Sequence, residues 1–229
     1  MEAIILAGGF GTRLSQVVRD VPKPMADVAG RPFLEYILDC LIQQGVDRIV
    51  LAVHYKKECI LRHFGEHYRG VQILYSVEET PLFTGGAIKK ALSLCNEDFV
   101  WVVNGDTHFE VPMEKMMCWA AEKQTSVTIA VKKMNNFSRY GRIMINGSGI
   151  ITSFCEKEFC ETGYINGGVY YLKRIILEGC PEKFSMENEC FPVLLKQRDI
   201  SAFESHGYFI DIGIPEDYQR AQKHFCIGD

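Results

Sequence analysis

The 229-residue chain lacks several features that would assign it to a common class of protein. It has no apolar run approaching the ~20 residues that cross a bilayer, and no basic segment leading into a long apolar stretch near its start. We therefore expect neither a membrane span nor a secretory signal. A formal net charge of -4 gives no support for a nucleic-acid polymer or an anionic membrane as the main partner. Any positive charge that binds phosphate groups must be local.

Cysteine is present, but its arrangement suits neither disulfides nor a metal. The nine cysteines are scattered, odd in number and never spaced as Cys-x-x-Cys, which predicts reduced, mostly buried thiols and a cytoplasmic location. Cys155 and Cys160 lack the second pair that a zinc site needs. His63 and His67 have the i, i+4 spacing of a helical metal pair, but we interpret them as surface histidines because no third ligand is evident.

Signatures of covalent catalysis are also missing. There is no Gly-x-Ser-x-Gly elbow, and no grouping of serine or cysteine with histidine that indicates a nucleophile. The sequence has no repeat, low-complexity tract or evident linker, and its 47% apolar and 24% charged residues are ordinary for a globular protein. We therefore predict one domain.

The sequence does contain strands that alternate with helices. Apolar runs predict strands at 3–6, 48–53, 71–75, 99–103, 126–131, 164–172, 201–204 and 208–212, and a hairpin at 142–145 and 150–154. Helical spacing predicts helices at 31–44, 56–67, 87–94, 113–123, 186–196 and 215–224. This order indicates an α/β fold with a mostly parallel sheet, to which the second half adds antiparallel strands.

The segment 1–25 combines glycines with cations directly after its first predicted strand, at Gly8, Gly9, Gly11, Arg13 and Lys23. Glycines allow backbone N–H groups to point at one small volume, which suits a polyphosphate. A proline on each side of Lys23 favours an extended, stiffly presented lysine. The loop matches neither the Walker pattern nor G-x-G-x-x-G, so an ordinary tight turn is the alternative.

Two aspartates lie where a metal ion would bind. Asp106 follows the most apolar strand, at the edge where open α/β sheets place ligands. Asp211 lies inside an apolar strand, where a carboxylate is costly to bury without a cation or partner. Mg²⁺ takes one or two protein carboxylates together with phosphate oxygens and water. The pair therefore favours metal-assisted phosphoryl chemistry, with a turn cap after Gly105 as the alternative for Asp106.

A second polar group follows in the antiparallel half. Glu156 and Lys157 end the predicted hairpin, and Asn166 lies on the next strand. Lys157 would bind a second phosphate, and Glu156 and Asn166 would bind neutral hydroxyls. The alternative is a solvated Glu–Lys pair. His108 lies close to Asp106 in the sequence, and we assign it no role.

Together these motifs resemble those of the sugar-1-phosphate nucleotidyltransferases. The matching stretches run in family order along essentially the whole chain, at 6–14 (LAGGFGTRL), 22–25 (PKPM), 84–87 (TGGA), 104–106 (NGD), 154–157 (FCEK), 166–169 (NGGV) and 211–218 (DIGIPEDY). The resemblance implies a Rossmann-like, three-layer αβα sandwich with a mixed, mostly parallel sheet and a small antiparallel hairpin addition. It implies one domain over 1–229, with a nucleotide-binding half at 1–112 and a sugar-phosphate-binding half at 113–229.

The resemblance also implies a reaction. The phosphate of a sugar 1-phosphate attacks the α-phosphorus of a nucleoside triphosphate, giving a nucleotide sugar and pyrophosphate. The attacking phosphate is already ionised at neutral pH, so charge neutralisation and alignment suffice without a general base. The implied partners are small molecules, and the implied metal is Mg²⁺. Formation of a homo-oligomer is left as an open possibility.

Roles transfer by motif to individual residues. Arg13 would hold the β- and γ-phosphates, Lys23 the α-phosphate, and Asp106 and Asp211 the Mg²⁺. The nucleotide would be bound by Leu6, Ala7, Gly8, Gly9, Gly11, Thr12, Arg13, Lys23, Glu78, Gly85 and Asp106. The sugar phosphate would be bound by Gly141, Glu156, Lys157, Asn166 and Gly167.

Within the family, the bacterial D-glycero-D-manno-heptose 1-phosphate guanylyltransferases are most similar, on the stretches 75–78 (YSVE), 138–141 (SRYG), 164–170 (YINGGVY) and 208–213 (YFIDIG). Guanine presents two donors that one carboxylate accepts together, so Glu78 or Glu79 is expected to bind it and GTP is favoured. Phe83 replaces the usual glycine of the family, so a backbone contact to the base is expected to differ.

Two alternatives remain at this point. The first is the same chemistry with mannose 1-phosphate, another hexose 1-phosphate or another base. The second is a non-catalytic subunit that binds nucleotide sugars. The charged residues expected at the chemical centre are all present, which argues for activity, and Asn104-Gly105-Asp106 is not the Asp-x-Asp of a related glycosyltransferase.

Overall fold

A computed structural model describes residues 1–9, 14, 18 and 20–226. The helices are α1 (Phe33–Gln43), α2 (Lys57–Phe64), α3 (Phe83–Leu92), α4 (Met113–Lys123), α5 (Phe191–Gln197) and α6 (Pro215–Phe225). The strands are β1 (Glu2–Leu6), β2 (Asp27–Val28), β3 (Arg31–Pro32), β4 (Arg48–Val53), β5 (His67–Tyr68), β6 (Val71–Val77), β7 (Phe99–Asn104), β8 (Thr107–Phe109), β9 (Val127–Phe137), β10 (Gly141–Ile145), β11 (Ile151–Lys157), β12 (Cys160–Lys173), β13 (Ile200–Glu204) and β14 (Phe209–Asp211). Lys23–Met25 and Arg174–Leu177 form short 3-10 turns, and Met186–Cys190 forms a π-helical turn before α5.

Within these ranges, ten strands form one mixed sheet. Its order is β11-β10-β12-β7-β1-β4-β6-β5, with β9 paired to β12 and β13 paired to β9. The neighbours β7, β1, β4 and β6 run parallel, whereas β12 runs antiparallel to β7 and β10 pairs antiparallel with β11. The sheet is therefore mixed, with a parallel centre and an antiparallel hairpin at one edge, as the sequence predicted.

Helices cover both faces of this sheet, and alternate residues of β1 show the division. Ala3 and Ile5 pack into a core that also contains residues of α1, α2, α4 and α6. Ile4 packs into the second core, which contains residues of α3 and α5. Strands buried on both faces need continuous apolar runs, which explains why β1, β4 and β7 lack alternation. The three-layer αβα architecture is confirmed.

A separate two-stranded sheet joins distant parts of the chain at the edge of the parallel strands. β8 pairs antiparallel with β14, and Asp211 lies opposite Thr107. The Ile212 N–H donates to the Asp106 carbonyl at 3.1 Å. This pairing brings Asp106 and Asp211 to the same place.

Several predicted bounds are wrong, each for a local reason. The helix predicted at 56–67 ends at Phe64, because Gly65 has a φ of 58° and the chain then enters β5. His63 and His67 consequently do not share a helix. The helix predicted at 87–94 begins at Phe83 and includes the two glycines. β9 and β12 extend beyond the predicted strands, to 11 and 14 residues, because they pair with each other.

No helix in the described part of the chain is long and apolar enough to cross a membrane.

Candidate active site

The candidate site lies at the carboxyl ends of β1 and β7, which are parallel neighbours. The Gly105 N–H donates to the Leu6 carbonyl at 2.9 Å, and a Cβ on Gly105 would lie 2.7 Å from that oxygen. Only glycine permits this close approach. The segment after β7 is therefore held against the segment after β1. This contact places Asp106 in the same cavity wall as Gly8 and Gly9.

Lys23 joins the two aspartates. Its Nζ lies 2.5 Å from Oδ2 of Asp106 and 3.7 Å from Oδ1 of Asp211. The lysine begins the 3-10 turn Lys23–Met25, which the Ala26 N–H closes by donating to the Lys23 carbonyl, so the prediction of an extended lysine is wrong. Its side chain is 13% exposed. The structure thus brings together three of the charged residues that the sequence singled out. Arg13, Gly11 and Thr12 lie outside the described residues.

Arg139 is a member of this cluster that the sequence analysis missed. Its Nη2 lies 2.6 Å from Oδ2 of Asp211, and its Nη1 donates to Asp217 on α6. Burial opposes the charged guanidinium, but Asp211, Tyr140 and Asp217 together outweigh it, and the pKa of Arg139 is raised above its ordinary value. The motif 138–141 contained Arg139, but no local pattern connected it with an aspartate 72 residues later.

Because Gly213 has no side chain, the charged groups of Lys23, Arg139 and Asp211 can lie close together beside it. A Cβ at this position would lie 2.7 Å from Oδ1 of Asp211, 3.2 Å from Nζ of Lys23 and 3.4 Å from Nη2 of Arg139. The Gly213 N–H also donates to Oδ1 of Asp211 at 2.6 Å. A side chain here would displace the carboxylate or the lysine.

The carboxylate pair fits a divalent cation. One ammonium already contacts both Asp106 and Asp211, so the two side chains are close enough to share a cation. Among the described residues, no group of three or more His, Cys, Asp or Glu side chains could hold a metal. Two carboxylates are what Mg²⁺ takes when phosphate oxygens and water complete its shell.

A cavity of about 430 Å³ opens beside this charged cluster. Its volume lies in the range of small-molecule sites, roughly 300–1,000 Å³. It is lined by Leu6, Gly8, Gly9, Lys23, Pro24, Ala52, His54, Glu78, Pro81, Phe83, Thr84, Ala87, Asn104 and Asp106. Ala7, another predicted nucleotide residue, is buried and does not line the cavity.

Glu78 is the buried carboxylate of this cavity. It is 6% exposed, and its Oε2 accepts the Leu82 N–H at 2.9 Å. Burial raises the pKa of Glu78 above the ordinary carboxyl value. Glu79, in contrast, is 80% exposed and lies 3.4 Å from Lys57. Of the two glutamates that the sequence left open, Glu78 is the one that lines the cavity.

The predicted sugar residues fall into two places. Glu156 and Lys157 are exposed at the end of β11, and Lys157 lies opposite Gly141 in β10. Asn166 lies on β12, where its Nδ2 donates to the Tyr170 hydroxyl at 2.9 Å and its Oδ1 accepts the Gly168 N–H at 2.9 Å. These residues do not line the cavity, and their roles stay predictions.

Two predicted glycines support packing. A Cβ on Gly85 would collide with the ring of Phe184, and one on Gly167 would collide with the ring of Phe109. Gly85 also donates its N–H to the Phe184 carbonyl at 3.0 Å. Neither glycine lines the cavity. Because neither glycine has a side chain, an aromatic ring can pack directly against the backbone at both positions.

The histidines named from the sequence lie away from the charged cluster. His63 Nε2 donates to Oε1 of Glu35 at 2.7 Å, as expected of a surface histidine. His108 is 7% exposed and packs edge-on against Phe225. Burial lowers its pKa to about 4, so the ring is neutral at pH 7.

Comparison with known proteins identifies the family that has this fold. A profile of the family described as Nucleotidyl transferase matches residues 2–226. The chain belongs to that family. This nucleotidyltransferase is 46% identical over 225 residues to the D-glycero-alpha-D-manno-heptose 1-phosphate guanylyltransferase of Aneurinibacillus thermoaerophilus, covering 97% of each chain. It is 42% identical to the protein of the same name from Campylobacter jejuni, over the whole of both chains.

A solved structure agrees with these sequence relatives. The nucleotidyltransferase fold matches that of HddC from Yersinia pseudotuberculosis complexed with GMP-PN, with a TM-score of 0.88 and 37% identity over 98% of this chain and 99% of the other. Nucleotidyltransferases generally use a divalent metal, which agrees with the paired carboxylates.

Proposed function

We propose that this enzyme transfers GMP from GTP to D-glycero-D-manno-heptose 1-phosphate, with Mg²⁺, and releases pyrophosphate. The observation that carries the proposal is the meeting of Lys23, Asp106 and Asp211 beside a cavity that contains the buried carboxylate of Glu78. The three charged side chains suit a polyphosphate and a cation. The Glu78 carboxylate suits a base that presents two hydrogen-bond donors.

Charge neutralisation is the chemistry that these residues supply. Mg²⁺, held by Asp106 and Asp211, would neutralise triphosphate oxygens when bound. Lys23 then places its ammonium on the α-phosphate, where negative charge develops during displacement. Arg13 binds the β- and γ-phosphates of the leaving pyrophosphate. No group needs to remove a proton, because the attacking phosphate is ionised at neutral pH.

The sugar phosphate enters from the antiparallel half. Lys157 binds its phosphate, while Glu156, Asn166 and the backbone of Gly141 bind the sugar. The choice of heptose rests on the two relatives of the same length named above.

Guanine binding rests on Glu78. Its carboxylate accepts one backbone N–H from Leu82 and has remaining lone pairs for the N1–H and exocyclic amine of guanine. Uracil and thymine present one ring N–H between two carbonyl oxygens, and a carboxylate cannot form a hydrogen bond with those oxygens. GTP is therefore favoured over UTP and dTTP.

We also propose that residues 1–229 act as one domain in the cytoplasm, with 1–112 binding nucleotide and 113–229 binding sugar phosphate. In support, Lys23 and Asp106 come from the first part and Arg139 and Asp211 from the second. All nine cysteines lie within the described ranges and are free thiols, which suits a reducing compartment.

The test is a pyrophosphate-release assay that crosses ATP, CTP, GTP and UTP with heptose, mannose and glucose 1-phosphates in the presence of Mg²⁺. We expect the highest kcat/KM for GTP with the heptose. Turnover with UTP but not GTP would contradict the assignment of Glu78. Binding of GTP with no turnover in any combination would instead identify a non-catalytic binding subunit.

A further inference from the structure

Phe83 has a backbone conformation that glycine adopts far more easily. Its φ is +60°, in the left-handed region, where the Cβ of a bulky residue meets the backbone. It is the first residue of α3. The resemblance to the family also implies glycine at this position, so a large aromatic side chain here is a departure that local structure does not require.

The Phe83 ring is exposed beside the cavity. Phe83 is 57% exposed, although large aromatic side chains of globular proteins are mostly buried. It lines the same cavity as Glu78 and Pro81. The Lys183 Nζ lies over the ring, 4.9 Å from its centroid, a cation–π contact that restricts the orientation of the ring.

The backbone on both sides of Phe83 is fixed. On one side, the Leu82 N–H donates to Glu78 at 2.9 Å. On the other, the Thr84 hydroxyl donates to Glu187 at 2.6 Å and accepts the Met186 N–H at 3.0 Å. The backbone of Phe83 is thus restrained next to Glu78 by contacts on both sides. Strained positions that are held from both sides are frequently functional.

We propose that Phe83 stacks on the base of the bound nucleotide and gives this chain a preference for purine triphosphates. The proposal rests on the proposed function and adds the face of the base to the edge that Glu78 binds. Stacking area is larger for a purine than for a pyrimidine, and base–aromatic stacking tolerates either purine. Phe83 therefore selects purines, and Glu78 selects guanine among them.

The experiment is isothermal titration of GTP and of inorganic tripolyphosphate into wild-type protein, Phe83→Gly and Phe83→Tyr, with Mg²⁺ present. Loss of one stacked base weakens binding by about 5- to 150-fold, so we expect that change for GTP in Phe83→Gly. Tripolyphosphate has no base, and its affinity should not change. Phe83→Tyr keeps an aromatic face and should bind GTP as the wild type does.

Two further readouts separate stacking from a structural role. The melting temperature of Phe83→Gly should not fall, because glycine accepts the left-handed backbone. KM for GTP should rise in turnover while kcat stays unchanged, as for binding that is equal in the ground and transition states. Gln124→Gly is the matched control, because Gln124 has a φ of 54° at the end of α4 and does not line the cavity.

The outcomes are distinct. Undiminished GTP affinity in Phe83→Gly, or an equal loss of tripolyphosphate affinity, would overturn the stacking proposal alone. Wild-type protein that binds no purine triphosphate would overturn both this proposal and the proposed function.

Discussion

The neighbouring residues Glu78 and Glu79 show how burial separates two side chains of identical chemistry. Glu78 is 6% exposed in the cavity wall, whereas the Glu79 carboxylate is 80% exposed beside Lys57. Both residues lie in the same predicted loop and have the same charge. Burial is decided by the path of the chain after β6, where the Glu78 N–H donates to the Val53 carbonyl at 2.9 Å.

Substitution of Glu78 should therefore alter base selection. We expect Glu78→Gln to lower kcat/KM for GTP by about 10- to 100-fold, because hydrogen bonds to a charged acceptor contribute about 1.5–3 kcal/mol. The rate with UTP should not fall. Glu79→Gln is the matched control and should behave as the wild type. Equal kcat/KM for GTP in both variants would show that Glu78 does not contact the base.

The same carboxylate gives a pH dependence with a defined sign. Burial raises the pKa of Glu78, and only its ionised form accepts both guanine donors. Affinity for GTP should accordingly fall as the pH drops through that raised pKa. Glu78→Gln should lack this step, which direct titration at several pH values would measure.

At the scale of secondary-structure elements, the side chain of Arg139 connects β14 with α6. Arg139 lies in the loop before β10 and contacts Asp211 at the end of β14 and Asp217 in the first turn of α6. Tyr140 adds a 3.5 Å hydrogen bond to Oδ2 of Asp211. These two contacts orient Oδ2, and the Gly213 N–H orients Oδ1.

Removal of the Arg139 guanidinium should weaken metal binding at the proposed site, because Asp211 would lose a contact that orients it. We expect Arg139→Met to lower kcat by about 10- to 100-fold, the usual effect of losing a residue that orients a metal ligand, and to raise the Mg²⁺ concentration for half-maximal rate. Arg220→Met is the control, because Arg220 is 68% exposed and contacts Oδ1 of Asp217, whereas Arg139 contacts Oδ2. An unchanged Mg²⁺ dependence in Arg139→Met would show that Asp211 is positioned without it.

Element predictions succeeded where the signal was local. β4 and α4 have the predicted bounds, because a continuous apolar run and a helical apolar spacing each lie within one segment. β5 and β8 were missed, because strands of 2 and 3 residues exist only through their pairing with β6 and β14. The early start of α3 depends on contacts of Thr84 with Glu187, more than 100 residues away.

The prediction of site residues also depended on whether the signal lay within one segment of the sequence. The sequence singled out Lys23, Asp106 and Asp211 because each has an unusual context, and the structure brings these side chains together, while their roles stay predictions. Arg139 has an ordinary context, and its importance lies in tertiary contacts. The convergence of Lys23 with Asp106 and Asp211 was a consequence of the β8–β14 pairing, which no local pattern shows.

At the scale of the whole molecule, the candidate site depends on the complete sheet. The parallel strands β1 and β7 position Asp106, and β14, reached more than 100 residues later, supplies Asp211. Lys23 lies between the two carboxylates. We expect this pair of carboxylates to hold the cation that the transfer of GMP requires.

The most direct test is the rate of GDP-heptose formation at saturating GTP, heptose 1-phosphate and Mg²⁺ in Asp106→Asn, Asp211→Asn and the wild type. Asp47→Asn is the control, because Asp47 is 77% exposed beside the N-terminus. We predict that both site variants fold and lose at least about 1,000-fold in kcat, since each removes a ligand of the ion that neutralises the reacting phosphates. A folded Asp106→Asn or Asp211→Asn variant with a rate close to that of the wild type would contradict the account.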